Sequence, residues 1–469
     1  MYLRWPIKNI FLKSRLVIFI FLYFSIAFFY KYECETKYTV VLDPGHGGAS
    51  LEPVSVYGDK YDPVLKKYLI PYRQGASYKG IDEAFVVYKI ALKVQYYLSL
   101  LESSSGREKF LQILKKYDPE INKIEGNGFN IILSRPESLP FINKTKSFKP
   151  DLSVDYNEPF RLYDMPHIKT GKRVKGIISL INDHQPYLVV SLHLTGEYTP
   201  GYGGMSSVIS PGYNTFKLAL DYINSSSVDR KSVEARYKRS YYSYDWFYPN
   251  SKRTIFEWFL CDSWIYFTGY QSLASGIKID NKKFAGLREN YVSWSYDAGY
   301  WEGGAGLNAD FIKSKMHPDD FTGAYWKREK SDPEAWRREG GQEGYGGDNY
   351  YASNEILRFV RKGLLANKIY SEEKLPVLRS PYVSTWSLPT YINGVNAFVE
   401  LAFLKNNYDR ERMTKYISVQ SEAIAAGIYS LFYGTGNNNK KDFPVGMAVD
   451  FAKYENYSEG NYFKIVKKK

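Results

Sequence analysis

Short runs of consecutive apolar residues predict the strands of a buried sheet. Five such runs occur, at residues 37–43, 130–134, 187–193, 204–210 and 397–403. Each run has the length of a strand, and the first ends at Pro44-Gly45, which stops a strand. Continuous apolar runs, rather than alternating ones, are typical of parallel strands that are covered on both faces.

Between these runs, apolar residues recur at helical spacing. Over residues 81–101, the apolar positions Ala84, Val87, Ala91 and Val94 recur every three to four residues and predict a helix. Residues 172–183 and 413–432 also have a helical pattern. Strands that alternate with helices predict an α/β fold, a mostly parallel sheet with helices on both faces.

Long stretches without a clear pattern separate some of these elements. We predict irregular connections at residues 47–80 and 102–129. Residues 211–350 are dense in Tyr, Trp, Gly and charged residues, and a structureless loop of that length is uncommon in a compact domain. The sequence therefore predicts a domain at residues 37–435 with a large inserted subdomain at 211–350, followed by a basic tail at 436–469.

The first thirty residues have the composition of a targeting segment. Four basic residues, Arg4, Lys8, Lys13 and Arg15, precede an apolar run from Leu16 to Tyr30. This pattern predicts either a signal peptide, with a small-residue cleavage site near Ala27, or an uncleaved membrane anchor. In both cases we expect an exported protein of the periplasm or cell envelope.

Composition excludes several classes of protein. Charged residues make up 24% and aromatic residues 17% of the 469 residues, which excludes a disordered or collagen-like chain. The net charge of +13 suits an anionic wall or membrane face, whereas the scattered basic residues argue against nucleic acid as a partner. Two cysteines, Cys34 and Cys261, exclude a disulfide framework, and whether they pair is left open.

Four residues with catalytic potential lie where the strands of the predicted sheet end. His46 follows the first strand, His193 ends the third, Glu400 lies toward the end of the last, and Glu83 begins a helix. Ligands of parallel α/β sheets bind at this carboxyl edge. Two imidazoles and one carboxylate can hold a catalytic zinc ion with one position left for water, and a further carboxylate can act as general base.

The motifs that carry these residues resemble a known enzyme family. VVLDPGHGG, Asp82-Glu83 at a helix start, ILSR at 132–135, VVSLH and FVELAFLKNNYDRERM occur in this order, followed by SEAIAAGIYSLF. The set resembles the zinc-dependent N-acetylmuramoyl-L-alanine amidases, which cut bacterial peptidoglycan between muramic acid and the stem peptide. The resemblance implies Zn²⁺ as cofactor, His46, Glu83 and His193 as its ligands, and Glu400 as the catalytic carboxylate.

Two further residues have supporting roles on this interpretation. Asp43 is expected either to accept a hydrogen bond from the far nitrogen of His46 or to brace the turn. Arg135 is expected to position the end of its strand or to bind substrate.

The chain also differs from the usual pattern of this family. Ala84 replaces the usual Lys after the glutamate ligand, Leu194-Thr195 replaces a small residue followed by Asn or Asp, and the segment from His46 to Glu83 is longer than usual. Some members carry an insertion that blocks the zinc until an activator protein binds. Residues 211–350 occupy that interval, and we expect them to control access to the cleft; a structural role and a glycan-contacting surface are the alternatives.

The sequence thus predicts an exported zinc amidase that removes stem peptides from peptidoglycan during cell-wall remodelling or cell separation. Two alternatives remain. One is a non-catalytic wall-binding module derived from the amidase fold, and the other is a zinc exopeptidase on a similar scaffold.

Overall fold

The computed structural model describes a large part of the predicted catalytic domain. The described residues are 37–62, 67–136, 149–162, 165–209, 345–379, 382–383, 388–392, 394–436 and 443–451. The predicted targeting segment at 1–30, both cysteines and the insertion up to residue 344 lie outside these ranges. The predictions made for those segments therefore stay predictions.

A seven-stranded, mostly parallel sheet forms the centre of the described domain. Its strands are β1 (Tyr38–Pro44), β2 (Phe129–Leu133), β3 (Leu188–Thr195), β4 (Gly204–Ile209), β5 (Val377–Leu378), β6 (Tyr382–Val383) and β7 (Val395–Phe403). The spatial order is β5-β4-β7-β3-β1-β2, and β6 also pairs with β4. β3 is parallel to both β1 and β7, whereas β4 and β7 are antiparallel.

The central strands are buried on both faces, as the continuous apolar runs predicted. Val40, Val41 and Leu42 of β1 are fully buried, and all eight positions of β3 are buried. Burial of both faces requires apolar side chains at successive positions, since neither face meets water. All five predicted strands are present, with ends that differ by one or two residues.

Helices cover this sheet, which confirms the predicted α/β fold. They are α1 (Val54–Tyr57), α2 (Glu83–Ser99), α3 (Ser104–Leu114), α4 (Ile177–Asp183), α5 (Tyr345–Ala366), α6 (Leu388–Tyr391), α7 (Asn407–Lys415) and α8 (Ile417–Tyr433). α8 packs against both α2 and α5, and α5 lies on β7 and β4.

Three helix predictions need correction. Residues 102–129 are irregular only in part, because α3 forms at Ser104–Leu114 with Phe110, Ile113 and Leu114 buried and Ser103 capping its first turn. The helix predicted from residue 172 begins only at Ile177, since residues 173–174 pair with 165–166 in a short ribbon. The helix predicted at 413–432 is two helices, α7 and α8, that meet at Tyr416.

The connection at 47–80 contains more regular structure than predicted. Besides α1, residues 59–62 pair with 67–70, and Ser77–Tyr78 pair with Ile81–Asp82, each in an antiparallel ribbon. The second ribbon ends directly before Glu83 and sets the position at which α2 begins.

Parts of the predicted insertion and of the predicted tail belong to the compact domain. Residues 345–350, within the predicted insertion, belong to α5. Residues 443–451, assigned to the basic tail, pack on the domain, where Phe451 is buried and stacks on Phe432 with ring centroids 4.3 Å apart. Apolar side chains in this short segment bind it to the core despite the basic residues that follow.

One helix among the described residues is long and apolar enough to cross a membrane by length and composition. It comprises α2 and the turn that follows it, Glu83–Glu102. Its contacts with α8 and β3, and the full burial of Val87, Ile90 and Val94, are those of a core helix.

Candidate metal centre

His46, Glu83 and His193 meet at the carboxyl edge of the sheet. His46 lies in the turn after β1, Glu83 is the first residue of α2, and His193 lies near the end of β3. One ligand atom from each lies within 4.8 Å of the other two, so this group can bind a metal ion. The structure therefore brings together the three residues that the sequence predicted as ligands.

Glu83 holds this group together through both of its carboxylate oxygens. Its Oε1 lies 3.0 Å from Nδ1 of His193 and accepts a hydrogen bond from the backbone N–H of Leu194 at 2.9 Å. Its Oε2 accepts from the backbone N–H of Ala76 at 2.6 Å. Burial alone would raise the pKa of Glu83, but the charges of His46 and His193 and the hydrogen bonds with His193 and Ala76 lower the pKa to about 2. The carboxylate is therefore ionised at neutral pH.

His46 presents one ring nitrogen to the site. Its backbone has a φ of 61°, a left-handed conformation that turns the side chain away from the strand direction. The Nδ1 atom lies 3.2 Å from the carbonyl oxygen of Arg73 and donates to it, while Nε2 lies 3.7 Å from Oε1 of Glu83. Burial lowers the pKa of His46, which favours the neutral ring with a free electron pair on Nε2.

His193 is held between an aromatic ring and a glycine. Its ring stacks on Phe398 with centroids 4.2 Å apart and an interplanar angle of 9°. On its other side lies Gly45, where a Cβ would be 2.1 Å from Cε1 of the ring. Packing on both sides leaves the ring little freedom to rotate, so this candidate ligand is pre-oriented.

The direction of the pKa shift of His193 indicates that the site favours positive charge. Burial acts to lower the pKa of His193, but the hydrogen bond to Glu83 and the charges of Glu83 and Glu400 raise the pKa. The same negative charges that favour a proton on this ring favour a cation between the ligands. Metal binding to such a site replaces protons.

Glu400 lies beside the three-residue group. It stands opposite His193 in the register of β7 and β3, two residues after Phe398. Its Oε2 is buried without a hydrogen-bond partner among the described residues. Burial raises the pKa of Glu400 to about 8, with Glu83 adding to the effect and His193 opposing it. An unpartnered buried carboxyl is costly unless a ligand pairs with it, and a nearby cation would favour its ionised form.

Arg135 connects the segments that carry two of the candidate ligands, His46 and Glu83. Its Nε donates to the carbonyl of Pro44 at 2.7 Å, and its Nη2 donates to the carbonyl of Ala84 at 2.8 Å. It thus connects the end of β1 to the start of α2, one residue after Glu83. The guanidinium is buried over the ring of Tyr88 and is not among the described residues that line the cavity.

Asp43 does not accept the hydrogen bond from His46 that was one of its two expected roles. The Nδ1 atom of His46 faces the carbonyl of Arg73 instead. This contact forms because the segment that follows residues 67–70 folds over the turn that carries His46. Asp43 instead accepts a hydrogen bond from the hydroxyl of Ser134 at the end of the neighbouring strand.

The group opens into a cavity of about 720 Å³, a size typical of small-molecule sites. Apolar side chains form part of its wall: Tyr72, Phe160, Leu162, Ile177, Val208, Leu388 and Phe398. Residues 73–77 form another part, and the sequence did not single them out. Their signal was the unusual length of the segment between His46 and Glu83, which did not show where its residues fold.

We expect the native protein to bind one divalent metal ion at this group. With Zn²⁺ as the probe, isothermal titration at pH 7.5 should show that His46→Ala, His193→Ala and Glu83→Gln each weaken binding at least about 100-fold, because each removes a ligand. His184→Ala, at an exposed histidine after α4, is the matched control and should bind as the native protein does. Equal affinity in all variants would refute the assignment.

We expect Gly45→Ala to weaken Zn²⁺ binding about 10–100-fold, because the added Cβ displaces the ring of His193. Gly196→Ala is the control in the same cavity, since its Cβ would lie 3.6 Å from that of Ala76, an ordinary contact. The same titration measures both variants. Native affinity in a folded Gly45→Ala protein would show that the ring of His193 is not held as described.

In metal-free protein, Glu400 should make the free energy of unfolding fall as pH rises. Its folded pKa of about 8 lies above the ordinary value of 4.5, so the folded state binds the proton more tightly. This contribution is complete below about pH 4.5 and is lost toward pH 8. In EDTA, urea unfolding should show that the free energy of unfolding of Glu400→Gln rises relative to that of the native protein over this range, by on the order of 5 kcal/mol. A difference in the free energy of unfolding that does not change with pH would contradict the raised pKa of Glu400. Glu108→Gln, on the surface of α3, is the control.

Comparisons with known proteins show only remote similarity. No protein-family model and no curated protein matches the chain. Among solved structures, an N-acetylmuramoyl-L-alanine amidase from Clostridium difficile 630 is 11% identical over 84% of this chain and 96% of its own, with a TM-score of 0.29. Cwp6 from Clostridium difficile is 12% identical over 84% of this chain and 29% of its own, with a TM-score of 0.28. Function has to be inferred from the site itself.

Proposed function

We propose that this protein is a zinc-dependent amidase that hydrolyses the bond between N-acetylmuramic acid and L-alanine in peptidoglycan, during cell-wall remodelling or cell separation. The observation that carries the proposal is the group of His46, Glu83 and His193, with the unpartnered carboxyl of Glu400 beside it in an open cavity. Two imidazoles and one carboxylate are the ligands of catalytic zinc sites that keep one position open.

The residues of this group fit zinc, and each has a defined part. His46, Glu83 and His193 would hold the ion, since imidazole nitrogen and carboxylate oxygen suit it. When bound, zinc supplies a Lewis acid that polarises the scissile carbonyl and acidifies a water molecule. Gly45, Phe398 and Arg135 keep the ligand-bearing segments in place, so little reorganisation is needed.

Glu400 moves the proton in the proposed reaction. Its carboxylate accepts a proton from the attacking water, whose oxygen bonds to the amide carbon. The same proton then passes to the nitrogen of alanine as the C–N bond breaks. A group whose pKa lies near the working pH performs both steps efficiently. Burial raises the pKa of Glu400, and a cation held by the three candidate ligands would act in the opposite direction, toward the carboxylate that accepts the proton. Such a proton transfer contributes about 10²–10⁴-fold to rate.

The rest of the chain supports a location in the cell envelope. The basic and apolar segment at residues 1–30 has the composition of an export signal or anchor, and the net charge of +13 suits the anionic wall. Control of the cleft by residues 211–350, with an activator protein as partner, is part of the same proposal.

The decisive experiment incubates the full-length, zinc-loaded protein with purified muropeptides and identifies the products by mass spectrometry. Free stem peptide with a new alanine amine is expected. Glu400→Gln should reduce its formation at least about 100-fold, because proton transfer is lost. Glu108→Gln, on the surface of α3, should retain native activity.

Other outcomes would point to the alternatives. Stoichiometric zinc without turnover, together with binding to wall sacculi, would favour a non-catalytic wall-binding module. Cleavage of free peptides but not of glycan-linked ones would favour a zinc exopeptidase.

A further inference from the structure

The segment at residues 72–76 is fixed to the metal centre by its backbone. The carbonyl of Arg73 accepts from Nδ1 of His46 at 3.2 Å, and the N–H of Ala76 donates to Oε2 of Glu83 at 2.6 Å. The N–H of Glu83 in turn donates to the carbonyl of Ala76 at 2.9 Å. Gly75, with a φ of 103°, lies close against both His46 and Glu83. These contacts hold the backbone of Arg73 beside the ligands.

The side chain of Arg73, in contrast, is free. It lines the cavity and is exposed, and its guanidinium makes no hydrogen bond or ion pair with any residue that the structure describes. The two neighbouring arginines are buried and engaged. Arg135 donates to backbone carbonyls, and Arg161 pairs with Asp155. Of the three, only Arg73 lines the cavity with an exposed side chain.

The charges of the cavity make this guanidinium distinctive. Of the described residues that line the cavity, Arg73 is the only lysine or arginine, whereas five are acidic: Asp43, Asp59, Glu83, Glu197 and Glu400. Within this described lining, Arg73 is therefore the one lysine or arginine side chain that can pair with an anionic group of a substrate. The planar guanidinium pairs with a carboxylate through two parallel hydrogen bonds.

We infer that Arg73 binds the α-carboxylate of the glutamate that follows alanine in the stem peptide, and so selects stems in which this carboxylate is free. The identity of this ligand rests on the proposed function. In an intact stem, the γ-carboxyl of that glutamate is consumed in the next peptide bond. The α-carboxylate is then the anionic group closest to the scissile amide on the peptide side.

Two synthetic compounds test this assignment: N-acetylmuramoyl-L-alanyl-γ-D-glutamyl-L-lysine and the same molecule with the α-carboxylate of its glutamate converted to a carboxamide. Isothermal titration in EDTA measures binding of each to the zinc-free, full-length protein. The native protein should bind the carboxylate form at least about tenfold more tightly, as expected for a charge-assisted pair. In Arg73→Gln this preference should fall to less than about twofold. Lys405→Gln, which loses the same charge at an exposed site outside the cavity, should keep the native preference.

The ratio of kcat/KM for the two compounds gives a second measurement on the zinc-loaded protein. The ratio should exceed about ten for the native protein and approach one for Arg73→Gln. Equal binding of both compounds by the native protein, or a preference that survives in Arg73→Gln, would overturn the assignment. Hydrolysis without preference would refute the role of Arg73 alone, whereas an Arg73-dependent preference without hydrolysis would refute the proposed amidase activity alone.

Discussion

The rest of the site depends on the hydrogen bonds that the buried carboxylate of Glu83 makes. Removing a carboxylate from water costs several kcal/mol unless hydrogen bonds and opposite charge compensate. Here the backbone of Ala76 and Leu194 and the ring of His193 supply that compensation. These partners come from the connecting segment and from β3. One side chain thus joins the start of α2 to two other parts of the chain.

The hydrogen bonds that keep Glu83 ionised leave the centre with a negative charge that no lysine or arginine in contact with it neutralises among the described residues. Glu83 is ionised, Glu400 has a buried oxygen without a partner among the described residues, and only two imidazoles face them. A divalent cation corrects this imbalance and favours the ionised form of Glu400 at the same time. In the proposed function, metal binding and proton transfer therefore depend on one electrostatic arrangement. Confinement of His193 by Gly45 and Phe398 limits how far the protein can relax without the cation.

Prediction from sequence succeeded where local pattern and burial agree. The strands are buried on both faces, so a short apolar run was enough to find each one, and His46, His193 and Glu400 follow from where those strands end. It failed for α3, whose few buried residues stand among polar ones, and for residues 443–451, where a few apolar side chains pack on the core. Both depend on contacts with distant parts of the chain, which a local pattern does not contain.

By itself, the sequence determined the α/β class, the order of the strands along the chain and the identity of the ligand candidates, because these depend on residue type and period. Tertiary structure decided which groups meet. It placed Arg73 beside His46, directed Asp43 to Ser134 rather than to His46, and connected Pro44 to Ala84 through Arg135. These contacts join segments far apart in the chain, and they depend on how the connections fold over the sheet edge, which residue type and period do not encode.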